Sequence, residues 1–415
     1  MAEVKIYDLI VIGGGASGMM AAGRAAERGK SVLLLEKNKK LGEKLKITGG
    51  GRCNITNAEE DEHILLKKYG LAEPFLYSTF AQFGVSDTFK FFERHGLPLV
   101  VQAGQRVFPQ TEKADDVFKV LEKYLTTGKV VVKVGQPVTA ITKEGNKIKN
   151  VVVGQTEYSA LHYILATGGV SHPATGSTGD GFTWLAKLGH TVIPPSPTIV
   201  PLSVSDQWVK SSAGVTLVDM KITFYVDGVK KFNKRGSLLF THFGLSGPLI
   251  LNSAKKVSDL LHEGVVTATI DLFPTLDLGE LEKKVVAIFD NNKNKSFKNV
   301  LKDILPAGLA SSLLGAKILA IEADKKMHSV TKEERKALVR QLKFLPLTIT
   351  GLMGLDRAVV ADGGVSLAEI DMRTMQSKII NNLSLTGDLL HITRPSGGYS
   401  LQLCWTTGYV AGSNN

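Results

Sequence analysis

Residues 7–12 form a short apolar run rich in branched side chains, the pattern of a buried strand, and Gly13, Gly14 and Gly15 end it. Residues 16–28, rich in Ala and Met, predict a helix closed by Gly29. A second apolar strand follows at 31–35 and runs into Glu36. A strand, a glycine turn, a helix and a strand within about thirty residues begin a parallel α/β sheet. From 41 to 57 the chain is polar and glycine-rich without a period, which predicts a long loop. Helical patterns recur at 61–69, 87–95 and, clearly amphipathic, 114–125. Strands are expected at 130–134, 138–142, 147–153 and 157–165, the last ended by Ala166-Thr167-Gly168-Gly169. A helix is expected at 179–188.

At 194 the texture changes. Pro194, Pro195, Pro197 and Pro201 form a cluster of breakers and predict a domain boundary. Residues 215–226 and 230–240 read as a hairpin, 249–261 as a helix and 265–270 as a strand. From 276 to 343 the period is helical and lysine-rich, which suggests a helical insert within a β-rich insert. From 349 onward strands and glycine turns return. Residues 383–386 predict a short strand running into Gly387-Asp388, and Gly397-Gly398 precede a last helix at 399–410.

Composition narrows the classes. Two cysteines exclude a disulfide scaffold, and no Cys/His cluster suggests zinc. The start lacks a basic region before its apolar run, and no stretch approaches the ~18 apolar residues of a membrane span, so a reduced, cytoplasmic protein without a membrane segment is expected. The net charge of +11 admits an RNA-associated protein. Yet Lys255, Lys256, Lys283, Lys284, Lys293, Lys295 and Lys298 are spread at helical-surface spacing among acids, with no aromatic RNA-reading motif. A solvated helix face is the better reading, and nucleic acid is disfavoured as a partner. The glycine content, 42 of 415, is the excess that asks for an explanation.

Part of it lies in Gly13-x-Gly15-x-x-Gly18, between a strand and a helix with an acid ending the next strand. Gly13 permits the tight turn, Gly15 lets backbone approach a pyrophosphate, and Gly18 lets helix and strand pack closely. The helix N-terminus offers free N–H groups to phosphate, and Glu36 suits the two hydroxyls of an adenosine ribose. The far end of the chain decides between dinucleotides. Asp388, after its strand, suits a ribitol hydroxyl, and the helix opened by Gly398 is placed to stabilise negative charge at flavin N1/O2. Together these features favour FAD.

The sequence resembles the bacterial FAD-dependent oxidoreductases of the YhiN/BaiN type, distant relatives of the fumarate reductase flavoproteins. The resemblance rests on YDLIVIGGGASGMMAA (7–22), LGEKLKITGGGRCNITN (41–57), YILATGG (163–169), GSTGDG (176–181), FTHFGLSGP (240–248) and LTGDLLHITRPSGGYSLQLCWTTGYVAG (385–412). It implies an α/β fold: a Rossmann-like FAD-binding domain of the two-dinucleotide-binding flavoprotein type, 1–193 with 350–415. A β-barrel-like domain, 194–273 with 344–349, splits it and carries a helical subdomain at 274–343. It implies FAD along Gly13, Gly15, Ala16, Ser17 and Gly18, with Glu36 on the ribose and Lys37 beside it. The loop bearing Lys44, Thr48, Gly49, Gly51, Arg52, Cys53 and Asn54 would follow isoalloxazine and pyrophosphate. Val138 would meet the adenine through its backbone, and Ala166, Thr167 and Gly168 would cross the cofactor. Gly387 and Asp388 would hold the ribitol, with Gly398 and Tyr399 facing the ring. Ser400 stands where many members have Asn.

The flavin carries the redox chemistry, and the protein positions the substrate. The expected activity is hydride transfer between flavin N5 and a small organic substrate or NAD(P)H. With no second dinucleotide motif in a strand–helix setting, NAD(P)H would bind transiently over the flavin. Arg52, His242 and Tyr399 are the catalytic candidates, because each lies in or beside a flavin-contacting motif. Arg52 equally suits a loop-stabilising role, and His242 a structural one at a strand end. Cys53 suits packing better than thiol chemistry, since Cys404 is no motif partner. The alternatives are a flavin-binding redox sensor or regulator, or an RNA-associated flavoprotein without fast turnover.

Overall fold

The computed structural model describes residues 6–415. The chain forms two compact units, Met1–Ser196 with Val359–Asn415, and Pro197–Ala358. The first is organised by the parallel strands β1 (Tyr7–Ile12), β2 (Val32–Leu35), β3 (Val131–Lys133), β4 (Ala160–Leu165) and β5 (Leu383–Leu385). Their spatial order is β5-β4-β1-β2-β3, and two short strands, Ile370–Asp371 and Gln376–Ser377, continue the sheet antiparallel beyond β5. Strand order reverses at β1, and open α/β sheets bind ligands in the crevice at the carboxyl end of such a switch point.

The helices of this unit include α1 (Ala16–Glu27), α2 (Ala114–Thr127), α3 (Asp180–Leu188) and α4 (Tyr399–Ser413). α4 is buried on nearly every side, so its sequence shows no polar face. A Cβ on its Gly408 or Gly412 would overlap the carbonyl oxygens of Ser17 and Ala21. Glycines one turn apart thus seat the last helix directly on α1. Fully buried Trp405 fixes its other side, Nε1 donating to the Ile55 carbonyl at 2.9 Å.

Two expectations change, and two features are additional. Residues 41–57 are not one loop: a helix, Glu43–Ile47, a 3-10 turn, Thr48–Gly51, and a strand, Thr56–Asn57, fill most of the stretch. Each is too short to show a period. The strand expected at 157–165 divides, because Thr156–Tyr158 joins the neighbouring hairpin at Lys147–Val153 while Ala160–Leu165 enters the main sheet. A helix not anticipated, Glu73–Phe80, carries Pro74 in its first turn, where no backbone N–H is needed. The proline cluster, where the two units divide, also carries a strand: Val192–Ile199 runs through Pro194, Pro195 and Pro197, paired among the described residues with Val360–Val365. A two-stranded sheet leaves one side of the strand open, where a missing N–H costs little.

The second unit is a closed antiparallel barrel of Leu202–Val204, Gly244–Ser246, Val229–Thr241, Thr216–Val226, Val266–Asp271 and Leu345–Leu352, in that spatial order. Residues 276–343 contain the helices Leu278–Asp290, Ala307–Gly315 and Lys332–Lys343. Their Leu281, Val285, Leu338 and Leu342 share one apolar cluster with the barrel's Ile222, Phe224 and Ile270. The helical stretch therefore has no separate core. Among the described residues no helix is long and apolar enough to cross a membrane.

In the first unit His190, its side chain wholly buried, lies between Glu369 (Nδ1 to Oε2, 2.9 Å) and Ser377 (Nε2 to Oγ, 2.9 Å). Ser377 Oγ already accepts the N–H groups of Ile379 and Ile380, so its own hydrogen points at Nε2 and Nδ1–H donates to Glu369. The imidazole is neutral. Burial depresses its pKa against the opposing pull of Glu369. For Glu369, desolvation is outweighed by bonds from Thr191 and His190, which hold the carboxyl below its ordinary range. A depressed histidine pKa means that the unfolded chain binds the proton first. Stability is then whole above pH ~6.5 and falls below it, with a slope approaching ~1.4 kcal/mol per pH unit for one proton. Urea unfolding between pH 7.5 and 5 should show a slope that is smaller in His190→Gln, the depressed His162 keeping the remainder. Equal slopes in the two proteins would remove the assignment.

Candidate functional site

The glycine turn occupies the carboxyl end of β1. Gly13 has φ 108°, and a Cβ there would lie 2.5 Å from the Ala166 carbonyl oxygen. The turn is thus pressed against the end of β4, whose Ala166 N–H donates to Ile12 at 2.8 Å. A Cβ on Gly18 would overlap the Gly13 carbonyl, which sets how closely α1 approaches β1. Gly15, the α1 N-cap, differs: apart from its own neighbours along the chain, no atom lies within 4 Å of the position its Cβ would take. The open space lies at a helix N-terminus, where N–H groups lack partners. One strand over, the buried Glu36 carboxylate accepts from Gly14 N–H and Asn38 N–H, both at 2.7 Å. The chain leaving β3 runs back alongside, Gln136 N–H to the Glu36 carbonyl at 2.9 Å, which brings Val138 to this end of the sheet. Lys37 reaches the opposite loop, donating to Thr178 and to Asp180 at 2.7 Å.

The segment after Glu43–Ile47 is a backbone cradle. Gly49, Gly50 and Gly51 all have positive φ (57°, 67° and 86°), and positions for a Cβ on Gly50 and Gly51 are empty to 4 Å. Thr48 Oγ1 donates to Leu45 and its carbonyl accepts from Cys53, closing the turn. Cys53 is fully buried, and burial pushes its thiol up to about 12; Cys404 stands at about 12 for the same reason, with Asp388 adding to it. Neither is a thiolate at neutral pH. The Asn54 side-chain oxygen is buried with no hydrogen-bond partner. The cradle meets the start of α4, where Asn57 Nδ2 donates to the Gly397 carbonyl at 3.2 Å and Gly398 presses on the Thr56 backbone.

Between the glycine turn and α4 lies a charged cluster. Asp388 receives Arg394 Nη2, and its other oxygen is 4.0 Å from Lys44 Nζ. The Arg394 side chain is only 2% exposed; Nε donates to Ser400 Oγ at 3.0 Å and Nη1 to the Ile392 carbonyl at 2.7 Å. Lys44 also donates to Ser171 at 3.3 Å, beyond Gly168. Desolvation draws the Lys44 ammonium below its ordinary range, Asp388 opposing. Ser17 Oγ joins α1 to the same segment through Thr386 at 3.2 Å, and Gly387 N–H donates to Thr407 of α4. Arg394 went unmarked in the sequence reading. It follows Leu389, Leu390 and Ile392, with His391 and Thr393 among them, on the way into the last helix, so no apolar pattern sets it apart.

The catalytic candidates have different surroundings. Tyr399 is buried at the start of α4, where burial raises its phenol pKa and keeps it protonated. Tyr69 donates to its carbonyl at 3.0 Å. Arg52 turns to the hairpin Leu99–Gln102/Arg106–Pro109 and its exit: its guanidinium stacks 4.5 Å from the Phe108 ring and pairs with Glu112 at 3.5 Å. His242 belongs to the other unit and is exposed in the turn after Val229–Thr241, its ring edge-on to Phe243.

These residues fit FAD. An open helix N-terminus, a buried acid at the end of β2, an empty glycine cradle and an unpartnered buried amide oxygen are the features a dinucleotide with a ring system needs. The HI0933-like protein Rossmann domain family matches residues 7–414. A 3-dehydro-bile acid delta(4,6)-reductase from Clostridium scindens is 31% identical over 405 residues, 97% of each chain. A ribosomal RNA dihydrouridine synthase from Haemophilus influenzae is 28% identical over 407 residues, 97% of this chain and 96% of that one. Among solved structures, the 3-ketosteroid-delta4-(5alpha)-dehydrogenase of Rhodococcus jostii covers 100% of this chain and 98% of its own, with a TM-score of 0.56 at 14% identity, a likeness of fold. The chain belongs to the HI0933-like Rossmann family and is an FAD-binding oxidoreductase.

Proposed function

We propose that the protein is a reductase of electron-poor carbon–carbon double bonds, passing hydride between flavin N5 and a small conjugated carbonyl compound, with NAD(P)H as transient donor. The observation that carries this is the 31% relative spanning 97% of both chains, whose name describes reduction of double bonds in a 3-dehydro bile acid. The more distant relatives are named for making dihydrouridine, which also adds hydrogen across a double bond beside a carbonyl. FAD, when bound, supplies the hydride. The chain holds it at the glycine turn, Glu36, the 44–54 cradle and Asp388. The Tyr399 phenol, kept protonated by burial, is the donor for a substrate oxygen.

Anaerobic stopped-flow mixing with NADH, then NADPH, followed by conjugated enones, tests this. Flavin reduction and then enone-dependent reoxidation are expected. A yellow protein that neither nicotinamide reduces and no enone reoxidises is a sensor instead. Unchanged rates in His242→Ala and Arg52→Ala would remove both from the reacting face.

A second reading has its own support. Residues 197–358 hold 23 Lys and Arg against 16 Asp and Glu, a surplus of seven out of the chain's +11. With two relatives named for ribosomal RNA, this restores RNA as a substrate carrier. Filter binding of a uridine-rich RNA across a salt series tests it, since phosphate contacts make log K fall linearly with log salt. Absence of binding at low salt overturns it.

A further inference from the structure

We infer that Arg394 holds the negative charge of reduced FAD, and so sets how strongly the protein favours the reduced over the oxidised cofactor. The inference rests on the FAD placement proposed above and adds a residue to it.

Hydride taken up at N5 brings two electrons and one proton. The neutral ring system then carries one negative charge, at N1 and O2, unless a second proton arrives from water. Something electropositive must face that charge if the second proton is not taken. The helix N-terminus at Gly398 supplies a partial charge at most. Arg394 supplies a whole one. It bridges the acid proposed for the ribitol, Asp388, and Ser400 in the first turn of α4, whose preceding residues Gly398 and Tyr399 are proposed to face the ring.

The charge count supports it. Lys44 and Arg394 share the single carboxylate of Asp388, and neither Cys404 nor Tyr69 is ionised, because burial raises both. The cluster keeps one uncompensated positive charge in a place where the Arg394 side chain is 2% exposed and that of Lys44 25%. Taking cations out of water is costly unless an anion repays it. Asp388 repays one; the reduced ring repays the other. Ser400 Oγ accepts from Nε and holds the guanidinium in this orientation.

The test is an anaerobic potential titration of the FAD-loaded full chain against reference dyes. In Arg394→Gln the preference for reduced over oxidised FAD should fall about tenfold, a drop of about 30 mV for a two-electron couple. Arg394→Lys should retain most of the preference. Ser400→Ala, which keeps the charge and loses one bond, should leave it within about twofold. A second measurement needs no variant. If the reduced cofactor keeps its charge, the wild-type potential falls by about 30 mV per pH unit, one proton per two electrons, around neutral pH. A two-proton slope, or an Arg394→Gln potential equal to wild type, overturns the inference. Failure of the FAD placement shows differently, as Arg394→Gln and Asp388→Asn proteins that hold FAD with unchanged affinity and unchanged potential.

Discussion

Gly15→Ala should give a folded protein that leaves purification without its yellow colour. The substitution adds one methyl group in a place where, apart from its own neighbours along the chain, the protein has no atom within 4 Å. Gly15 has φ −81°, a conformation any residue adopts, so the backbone is not strained. Nothing in the folded chain resists the change, and the urea midpoint of the apoprotein should stay put. The proposed FAD pyrophosphate would occupy that space. Wedging a methyl group into a close contact costs ~1–3 kcal/mol. FAD affinity should therefore fall on the order of 10- to 100-fold. Gly18→Ala is the contrasting case. Its Cβ would overlap the Gly13 carbonyl and lie 3.1 Å from Ala166 Cβ, so α1 must lift from the sheet. That variant should lose both FAD and stability. Flavin absorbance per protein, read beside the unfolding midpoint, separates the two mechanisms. Gly15→Ala with full FAD occupancy would show that the cofactor does not approach this turn.

The contrast between these glycines shows what the sequence exposes. Strand β1, its turn and α1 were legible because local pattern and ligand chemistry agree there: an apolar run, three glycines, a helix and an acid one strand later. The hairpin Thr216–Val226/Val229–Thr241 was legible for the same reason, its alternation matching its pairing. Residues 41–57 were not, because their helix and turns are shorter than one period and their form is set by left-handed glycines rather than by hydrophobicity. The division at Ser159 was hidden because both halves are extended and differ only in which sheet they join. Arg394 was hidden for a third reason. A buried cation has meaning only beside its partners, and Lys44 and Asp388 lie far away in sequence or across a turn. The glycine excess was a sound pointer, but it marked two separate uses, open backbone at Gly15, Gly50 and Gly51 and tight packing at Gly18, Gly408 and Gly412.

Lys343→Met should cost ~3–5 kcal/mol, the largest stability loss expected from a single substitution in the barrel unit. Lys343 ends the helix Lys332–Lys343 and is about a tenth exposed. Its ammonium makes an ion pair with Asp271 at 2.8 Å and donates to the carbonyls of Phe273 and Leu276 at 2.8 and 2.6 Å. Asp271 is equally buried, ends the strand Val266–Asp271, and accepts the Phe273 N–H at 3.0 Å. One cation thus pins the end of a helix to the end of a barrel strand and to the bend that follows it. Methionine keeps the apolar stem and removes the charge, leaving a carboxylate and two carbonyls in a poorly solvated place. Lys343→Met/Asp271→Leu should recover part of the loss, because it removes the stranded charge, but not all, because both carbonyls stay unpartnered. Urea unfolding of the three variants with Asp271→Leu closes the cycle, and a coupling below ~0.5 kcal/mol would mean that water already screens the pair. The sign matters more than the size. A double variant less stable than either single one would show that the ammonium, through the two carbonyls, and the carboxylate, through the Phe273 N–H, each hold the bend independently of their pairing.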